Sequence, residues 1–171
     1  DQPSHFSSRQ TLAEWLKKEK IPALEISDTR FITQKLRVSG TMLGKIEIGS
    51  NGNNTAQYDP NIENLVSQVS TKKISVVGSG KTNIALFDCG AKRNISKSLA
   101  KRGVKVTIVP WDYDVFKEGL KFDGIMISNG PGDPKMAGKT IDIIKKALTQ
   151  KIPIFGICLG NQILALAAGG D

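Results

Sequence analysis

The second half of the sequence alternates short apolar runs with amphipathic stretches, and this alternation constrains the fold more than any other feature. The apolar runs are typical of strands buried on both faces, and they lie at 84–87, 104–109, 124–127 and 152–157. Amphipathic stretches with apolar residues at three-to-four spacing separate them, at 94–102, more weakly at 113–120, and at 140–148. Such alternation requires crossover connections, so we predict an α/β fold with a parallel sheet covered by helices on both faces.

The first part of the chain predicts a smaller mixed α/β unit. Helices are expected at 12–16 and 31–38, the second capped by Asp28 or Thr29, and strands at 23–26 and 43–48. Two polar, turn-rich stretches follow, at 49–60 and 70–83. We therefore assign residues 1–70 to the mixed unit, 71–83 to a linker and 84–171 to the sheet domain.

The composition excludes several classes of protein. The 171 residues are 39% hydrophobic and 23% charged, as in ordinary globular chains. Cys89, Cys158 and the single His5 are too few for a disulfide scaffold or a zinc site, so we predict no metal and expect a cytoplasmic setting. The apolar stretch 152–170 is broken by proline, glycine and polar residues, which favours buried core over a membrane span.

The net charge of +8 does not indicate a nucleic-acid surface. The 24 Lys and Arg residues exceed the 16 Asp and Glu residues, and this excess could attract polyanions. However, the basic residues form short pairs along helical stretches, without interleaved aromatic residues on which bases could stack. We interpret them as solvated helix faces and predict no nucleic-acid partner.

The strongest chemical signal is Gly156-x-Cys158-x-Gly160, where an apolar run passes into a helical stretch. A nucleophile on a tight strand-to-helix turn needs neighbours without side chains two residues away on each side. At the start of a helix, free amides and the helix dipole favour a thiolate. We predict Cys158 as a nucleophile and the Leu159 amide as an oxyanion donor. The alternative is a core cysteine in a tight turn.

Two other strand ends carry weaker signals. The loop that contains Gly130, Pro131 and Gly132 fixes the backbone and leaves amides unshielded, which suits a second oxyanion donor; the alternative is an ordinary turn. Cys89 follows another strand but has no glycine two residues before it. We therefore predict a structural role for Cys89.

Three segments together resemble the class I glutamine amidotransferase domain of the carbamoyl-phosphate synthetase family. They are 87–95 (FDCGAKRNI), 128–134 (SNGPGDP) and 156–162 (GICLGNQ), in this order and spacing. Segments 21–30 and 36–44 are similar to the end of that family's small-subunit N-terminal domain. The resemblance covers nearly the whole chain and is weakest over 51–83. The stretch 58–69 looks more like the eukaryotic multifunctional, pyrimidine-pathway type than a bacterial small subunit.

The resemblance implies a function and a set of roles. Cys158 would form a γ-glutamyl thioester with L-glutamine, Gly130 and Leu159 would supply oxyanion amides, and Gly132 and Gln162 would bind the substrate. Ammonia would pass to a synthetase large subunit or domain that uses ATP, magnesium and bicarbonate in the pyrimidine or arginine pathway. No cofactor is expected in this chain. Asn161 stands where the family often has His, and we expect this difference to have a small effect.

The resemblance also implies that the catalytic triad is incomplete here. The family's His and Glu follow the cysteine, and His5 is the only histidine in the chain. We therefore expect a fragment whose own glutaminase activity is near background. Two alternatives stay open: an amidotransferase for another acceptor, such as chorismate or a purine nucleotide, and a non-catalytic partner-binding module. Segment 28–30 argues against another acceptor, because there the resemblance is to the carbamoyl-phosphate enzyme alone.

Overall fold

The computed structural model describes residues 3–46 and 58–171, and the chain divides into two compact units. The first unit comprises residues 1–57 and the second comprises residues 58–171. Among the described residues, no helix is long and apolar enough to span a membrane.

The first unit contains two helices, α1 (Leu12–Lys18) and α2 (Thr29–Ser39), which confirm both helix predictions. A capping box starts α1, in which the Thr11 hydroxyl accepts from the Glu14 N–H and the Glu14 carboxylate accepts from the Thr11 N–H. The Asp28 carboxylate caps α2 by accepting from the Phe31 N–H at 2.9 Å.

The two strands predicted for the first unit are not observed. Residues 23–26 and 43–46 are irregular, and positions 47 and 48 lie outside the described residues. A strand requires a partner for its backbone hydrogen bonds, and the described part of this unit supplies none. Neither α1 nor α2 buries a residue, so the described part of the chain leaves their apolar faces exposed.

The second unit contains a five-stranded sheet, which confirms the predicted α/β class. Its strands are β1 (Ser75–Val77), β2 (Asn83–Asp88), β3 (Lys105–Pro110), β4 (Gly124–Ile127) and β5 (Ile154–Gly156), in the order β1-β3-β2-β4-β5. Strands β2 to β5 are parallel, as predicted, and β1 pairs antiparallel with β3. β1 falls inside the predicted linker; it has three residues at the sheet edge and is mostly exposed, so it lacks the apolar signal of a buried strand.

Helices in the second unit are α3 (Leu65–Val69), α4 (Arg93–Ala100), α5 (Gly138–Thr149) and α6 (Leu159–Ala167), with short 3₁₀ turns at Pro60–Ile62 and Pro134–Met136. The predictions at 94–102 and 140–148 are confirmed by α4 and α5. The predicted helix at 113–120 is wrong, since these residues form turns. There the Asp114 carboxylate accepts from the Phe116 and Lys117 N–H groups, and Gly119 has a φ of 66°, so the chain reverses instead of propagating a helix.

The alternation of side chains along the strands assigns helices to both faces of the sheet. Phe87 and Ile127 point to one face, where they form the main core with Ile144 of α5 and Ile163 of α6. Helix α4 packs on β3 and β1. Where the sheet continues across β4 and β5, the described residues leave an apolar groove that includes Phe155, whose exposed fraction is 62%.

Residues 58–71 belong by their contacts to the second unit, although we assigned 1–70 to the first domain. Asn64 Nδ2 donates to the Met136 carbonyl at 3.0 Å, and the Thr71 N–H donates to an Asp88 carboxylate oxygen at 2.8 Å. The Ser70 hydroxyl accepts from the Trp111 N–H at 3.0 Å. These partners are far apart in sequence, so the local composition of 58–70 did not reveal that the segment contacts the sheet domain. The domain assignment itself stays a prediction.

We predict that Phe87→Ala lowers the free energy of unfolding of the 171-residue chain by about 3–5 kcal/mol, because Phe87 is fully buried in the main core. Phe155→Ala, at an exposed position of β5, should cost less than about 1 kcal/mol. Chemical denaturation of both variants measures the difference, and equal losses would show that Phe87 is not a core residue.

Candidate active site

The turn from β5 into α6 holds Cys158 in a conformation that non-glycine residues rarely adopt. Its φ is 53° and its ψ is −112°. Hydrogen bonds fix the turn: the Ile157 N–H donates to the Ile127 carbonyl at 3.0 Å, and the Asn161 N–H donates to the Cys158 carbonyl at 2.9 Å. Strained residues that the surrounding structure holds in place concentrate at functional sites. This geometry is that of a nucleophile presented on a strand-to-helix turn.

Gly156 and Gly160 permit this turn because backbone atoms occupy the space of their missing side chains. A Cβ on Gly156 would lie against the Gly160 carbonyl oxygen and 2.5 Å from the Asn161 nitrogen. A Cβ on Gly160 would lie against the Ile127 carbonyl oxygen and 2.8 Å from that of Ser128. Any larger residue would push α6 away from the ends of β4 and β5.

The two cysteines occupy opposite environments. Cys158 is exposed, which excludes the alternative of a core cysteine in a tight turn. Cys89 is buried, and its burial, together with the neighbouring Asp88 carboxylate, raises the pKa of its thiol from 9.0 to about 12. Only the Cys158 thiol is therefore available to a dissolved substrate at neutral pH.

Two backbone N–H groups on the loops at this turn have no acceptor among the described residues. Within residues 3–46 and 58–171, neither the Leu159 N–H nor the Gly130 N–H donates a hydrogen bond. A Cβ on Gly130 would lie 2.8 Å from Leu159 Cδ2 and against the Cys89 carbonyl oxygen, so Gly130 sits between Leu159 and the end of β2. The fold thus brings two strand ends, carrying two free amides, to the turn that presents the thiol.

The remaining predicted site residues lie on the same loops. Gln162 is exposed on the first turn of α6, where its N–H donates to the Cys158 carbonyl at 3.2 Å. Gly132 has a φ of 86°, and a Cβ there would lie 3.3 Å from Leu65 Cβ of α3. The structure therefore places Gly132 against α3, a contact that the sequence did not indicate.

Sequence reasoning missed the polar side chains that join these loops. The Asp88 carboxylate accepts from the Gly90 and Ala91 N–H groups at 2.9 and 2.7 Å, and also from Thr71. The buried Ser128 hydroxyl accepts from the Cys89 N–H at 2.9 Å. Asp88 ends β2 and Ser128 follows β4, but their partners, Thr71 and the Cys89 N–H, lie 17 and 39 positions away and depend on the assembled sheet. No cluster of His, Cys, Asp and Glu side chains suited to a metal ion occurs in the described part of the chain.

Comparison with known proteins agrees with this geometry. Residues 85–171 match the family described as glutamine amidotransferase class-I, and residues 1–46 match the CPSase domain of the carbamoyl-phosphate synthase small chain. The chain belongs to the class I glutamine amidotransferase family.

Three relatives narrow this similarity further. The chain is 50% identical to the multifunctional protein CAD of Squalus acanthias, over 98% of this chain and 8% of that protein. It is 44% identical to the mitochondrial carbamoyl-phosphate synthase [ammonia] of Homo sapiens, over 97% of this chain and 11% of that protein. It is 43% identical to the arginine-specific small chain of carbamoyl phosphate synthase of Saccharomyces cerevisiae, over 99% of this chain and 43% of that protein. The chain thus spans less than half the length of each.

We predict that Gly160→Ala destabilises the chain by about 1–3 kcal/mol or more, because the added methyl group would meet two backbone carbonyls. Gly138→Ala is the matched control, since a Cβ at this first residue of α5 meets nothing within 4 Å. It should change the free energy of unfolding by less than about 1 kcal/mol. Equal effects of the two substitutions in denaturant titrations would contradict the close approach of α6.

We also predict selective alkylation of the two thiols. At pH 8, iodoacetamide should modify Cys158 at least about 100-fold faster than Cys89, because Cys89 is buried and its raised pKa leaves little thiolate. Peptide mass mapping measures the labelling, and similar rates in native protein would refute the assignment of Cys89 as the buried thiol. In denaturant both residues should react.

The raised pKa of Cys89 also makes stability depend on pH. Burial of the neutral Cys89 thiol stabilises the fold fully below pH 9, and this contribution is lost as the pH rises through about 12.

Proposed function

We propose that this chain is the glutamine-hydrolysing part of a carbamoyl-phosphate synthetase, with Cys158 as the nucleophile. The observation that carries the proposal is the exposed Cys158, held at positive φ between β5 and α6. Among the described residues, the N–H groups of the adjacent Leu159 and of Gly130, which lies against the Leu159 side chain, are unpaired. The family match over 85–171 and the small-chain match over 1–46 support it independently of that geometry.

In the proposed reaction, the Cys158 thiolate attacks the side-chain amide carbon of L-glutamine. The carbonyl oxygen becomes an oxyanion that accepts hydrogen bonds from the Leu159 and Gly130 N–H groups. The C–N bond then breaks, the nitrogen takes up a proton and leaves as ammonia, and a γ-glutamyl thioester remains on Cys158. Water hydrolyses the thioester to glutamate and restores the thiol. Gln162 and Gly132, on the loops that flank this space, would hold the substrate.

Proton transfer in these steps requires a general base. His5 lies in the first unit and is exposed, and the chain has no other histidine. We therefore assign the base to a histidine, oriented by a glutamate, elsewhere in the polypeptide to which this chain belongs. The 171 residues would then supply the nucleophile, the oxyanion donors and part of the glutamine site.

The acceptor of the ammonia is proposed to be a synthetase subunit or domain that uses ATP, magnesium and bicarbonate, in the cytoplasm. The match over residues 1–46 favours this acceptor over chorismate or a purine nucleotide. The resemblance over 58–69 favours a pyrimidine-pathway protein of the multifunctional type.

A second candidate function is a non-catalytic module that binds the synthetase without hydrolysing glutamine. The specific observation in its favour is the 44% identity to a human carbamoyl-phosphate synthase whose name states ammonia as its substrate. The exposed, strained Cys158 favours the catalytic reading, and labelling of the thiol separates the two.

We predict that the diazoketone analogue of glutamine, 6-diazo-5-oxo-L-norleucine, labels the full-length polypeptide once, at Cys158. The thiol displaces nitrogen from the analogue and forms a stable thioether, and excess glutamine should slow the reaction. Cys158→Ser should lower glutaminase activity by at least about 1,000-fold while ammonia-dependent synthesis continues. Cys89→Ala is the matched control and should keep activity in its folded fraction.

The results distinguish a wrong assignment of the nucleophile from a wrong assignment of the catalytic function. Label on a residue other than Cys158, or a Cys158→Ser variant that still hydrolyses glutamine, would overturn the assignment of the nucleophile. A wild-type protein that makes carbamoyl phosphate from ammonia, is not labelled and does not hydrolyse glutamine would establish the second candidate.

A further inference from the structure

Two polar side chains precede Gly130 on the loop after β4, and both are bonded to the loop after β2. Asn129 uses both ends of its amide: Oδ1 accepts from the Lys92 N–H at 3.2 Å, and Nδ2 donates to the Gly90 carbonyl at 3.2 Å. The fully buried Ser128 hydroxyl accepts from the Cys89 N–H at 2.9 Å and donates to the Asn129 carbonyl at 2.8 Å.

We propose that Ser128 and Asn129 are positioning residues that orient the Gly130 N–H toward the oxyanion. The inference rests on the proposed function, since it assumes that this amide receives the oxyanion. It adds that the direction of the amide is set by the loop after β2, through these two side chains.

The argument begins with the peptide group between Asn129 and Gly130. In a planar trans peptide, the N–H points opposite to the C=O, so whatever fixes one fixes the other. The hydrogen bond from Ser128 Oγ holds the Asn129 carbonyl, and Ser128 Oγ is itself held by the Cys89 N–H. The direction of the Gly130 N–H is therefore set through the Ser128 hydroxyl.

The Asn129 side chain restrains the Cα atom at the other end of the same peptide group. Its side chain spans from Gly90 to Lys92, so its Cα cannot shift without breaking two hydrogen bonds to the loop after β2. The Gly130 N–H donates no hydrogen bond among the described residues, so it does not hold itself in place. Packing against Leu159 Cδ2 and the Cys89 carbonyl fixes the position of Gly130 but not the rotation of the preceding peptide.

This arrangement predicts a transition-state effect rather than a binding effect. An oxyanion donor interacts more strongly with the negative oxygen of the tetrahedral intermediate than with the neutral amide of bound glutamine. Misdirecting the donor should therefore lower kcat and leave KM nearly unchanged. A residue that only stabilised the fold would lower the fraction of competent enzyme and leave kcat per competent site intact.

The test compares Asn129→Ala and Ser128→Ala with Asn94→Ala in the full-length protein. Asn94 lies exposed on α4 and makes no side-chain hydrogen bond in the described structure, so its variant controls for loss of an asparagine. Titration with 6-diazo-5-oxo-L-norleucine counts competent sites in each preparation. Glutamine hydrolysis is then expressed per competent site.

We expect kcat per site to fall by about 10- to 100-fold in both loop variants, because loss of a whole oxyanion donor costs about 100- to 1,000-fold. KM should stay within about threefold, and Asn94→Ala should match wild type. Because Ser128→Ala also leaves the buried Cys89 N–H unpaired and lowers stability, Asn129→Ala is the decisive variant.

The aldehyde analogue of glutamine, glutamate γ-semialdehyde, provides a second readout. The Cys158 sulfur adds to the aldehyde carbon, the C=O double bond becomes a single bond, and the thiol proton ends on the former carbonyl oxygen. That oxygen occupies the place of the oxyanion. The inhibition constant of the aldehyde should rise in Asn129→Ala in proportion to the loss of kcat.

Three results would overturn the inference while leaving the proposed function intact. They are an unchanged kcat and aldehyde affinity in Asn129→Ala, a raised KM at unchanged kcat, and a loss confined to the number of competent sites. A wild-type protein that is neither labelled nor active on glutamine would instead overturn the proposed function, and this inference with it.

Discussion

The close approach of α6 to the carboxyl ends of β4 and β5 is the constraint on which the rest of the site depends. Gly160 lies directly on the Ile127 and Ser128 carbonyls, and Gly156 lies on the first turn of α6. This contact forces the chain to turn within two residues and gives Cys158 its positive φ. It also brings the Leu159 side chain against Gly130. One backbone contact therefore determines both the presentation of the thiol and the meeting of the two loops whose Leu159 and Gly130 N–H groups are unpaired among the described residues.

In the second unit, the sequence predicted the secondary structure well wherever burial determines it. The four parallel strands carry near-continuous apolar runs, although β5 leaves Phe155 exposed, and the Gly-x-Cys-x-Gly spacing located the turn. The segment 113–120 has helical spacing, but the side chain of Asp114 and the left-handed Gly119 direct it into turns. Local hydrogen bonding there overrides periodicity.

The hydrogen bonds between loops could not be predicted from apolar runs and residue spacing. Ser128 and Asn129 meet residues nearly forty positions earlier only because β4 pairs with β2, and that pairing is a property of strand order. In the first unit, the apolar runs at 23–26 and 43–46 have no strand partner within the described residues, so β-propensity alone produced no strand. Propensity and spacing thus identify elements, whereas the polar links that orient a site require the assembled sheet.

The placement of α3 has a practical consequence for dividing this protein into pieces. The family match begins at residue 85. However, Leu65 and Val69 of α3 pack against the loops at Gly132 and Gly90 and form a wall beside them. The Thr71 N–H also donates to the Asp88 carboxylate. A polypeptide started at the matched boundary would lack this wall and the edge strand β1 as well. Its glycine loops would face water on one side, so a cut at residue 58 is the sounder choice for expressing the amidotransferase unit.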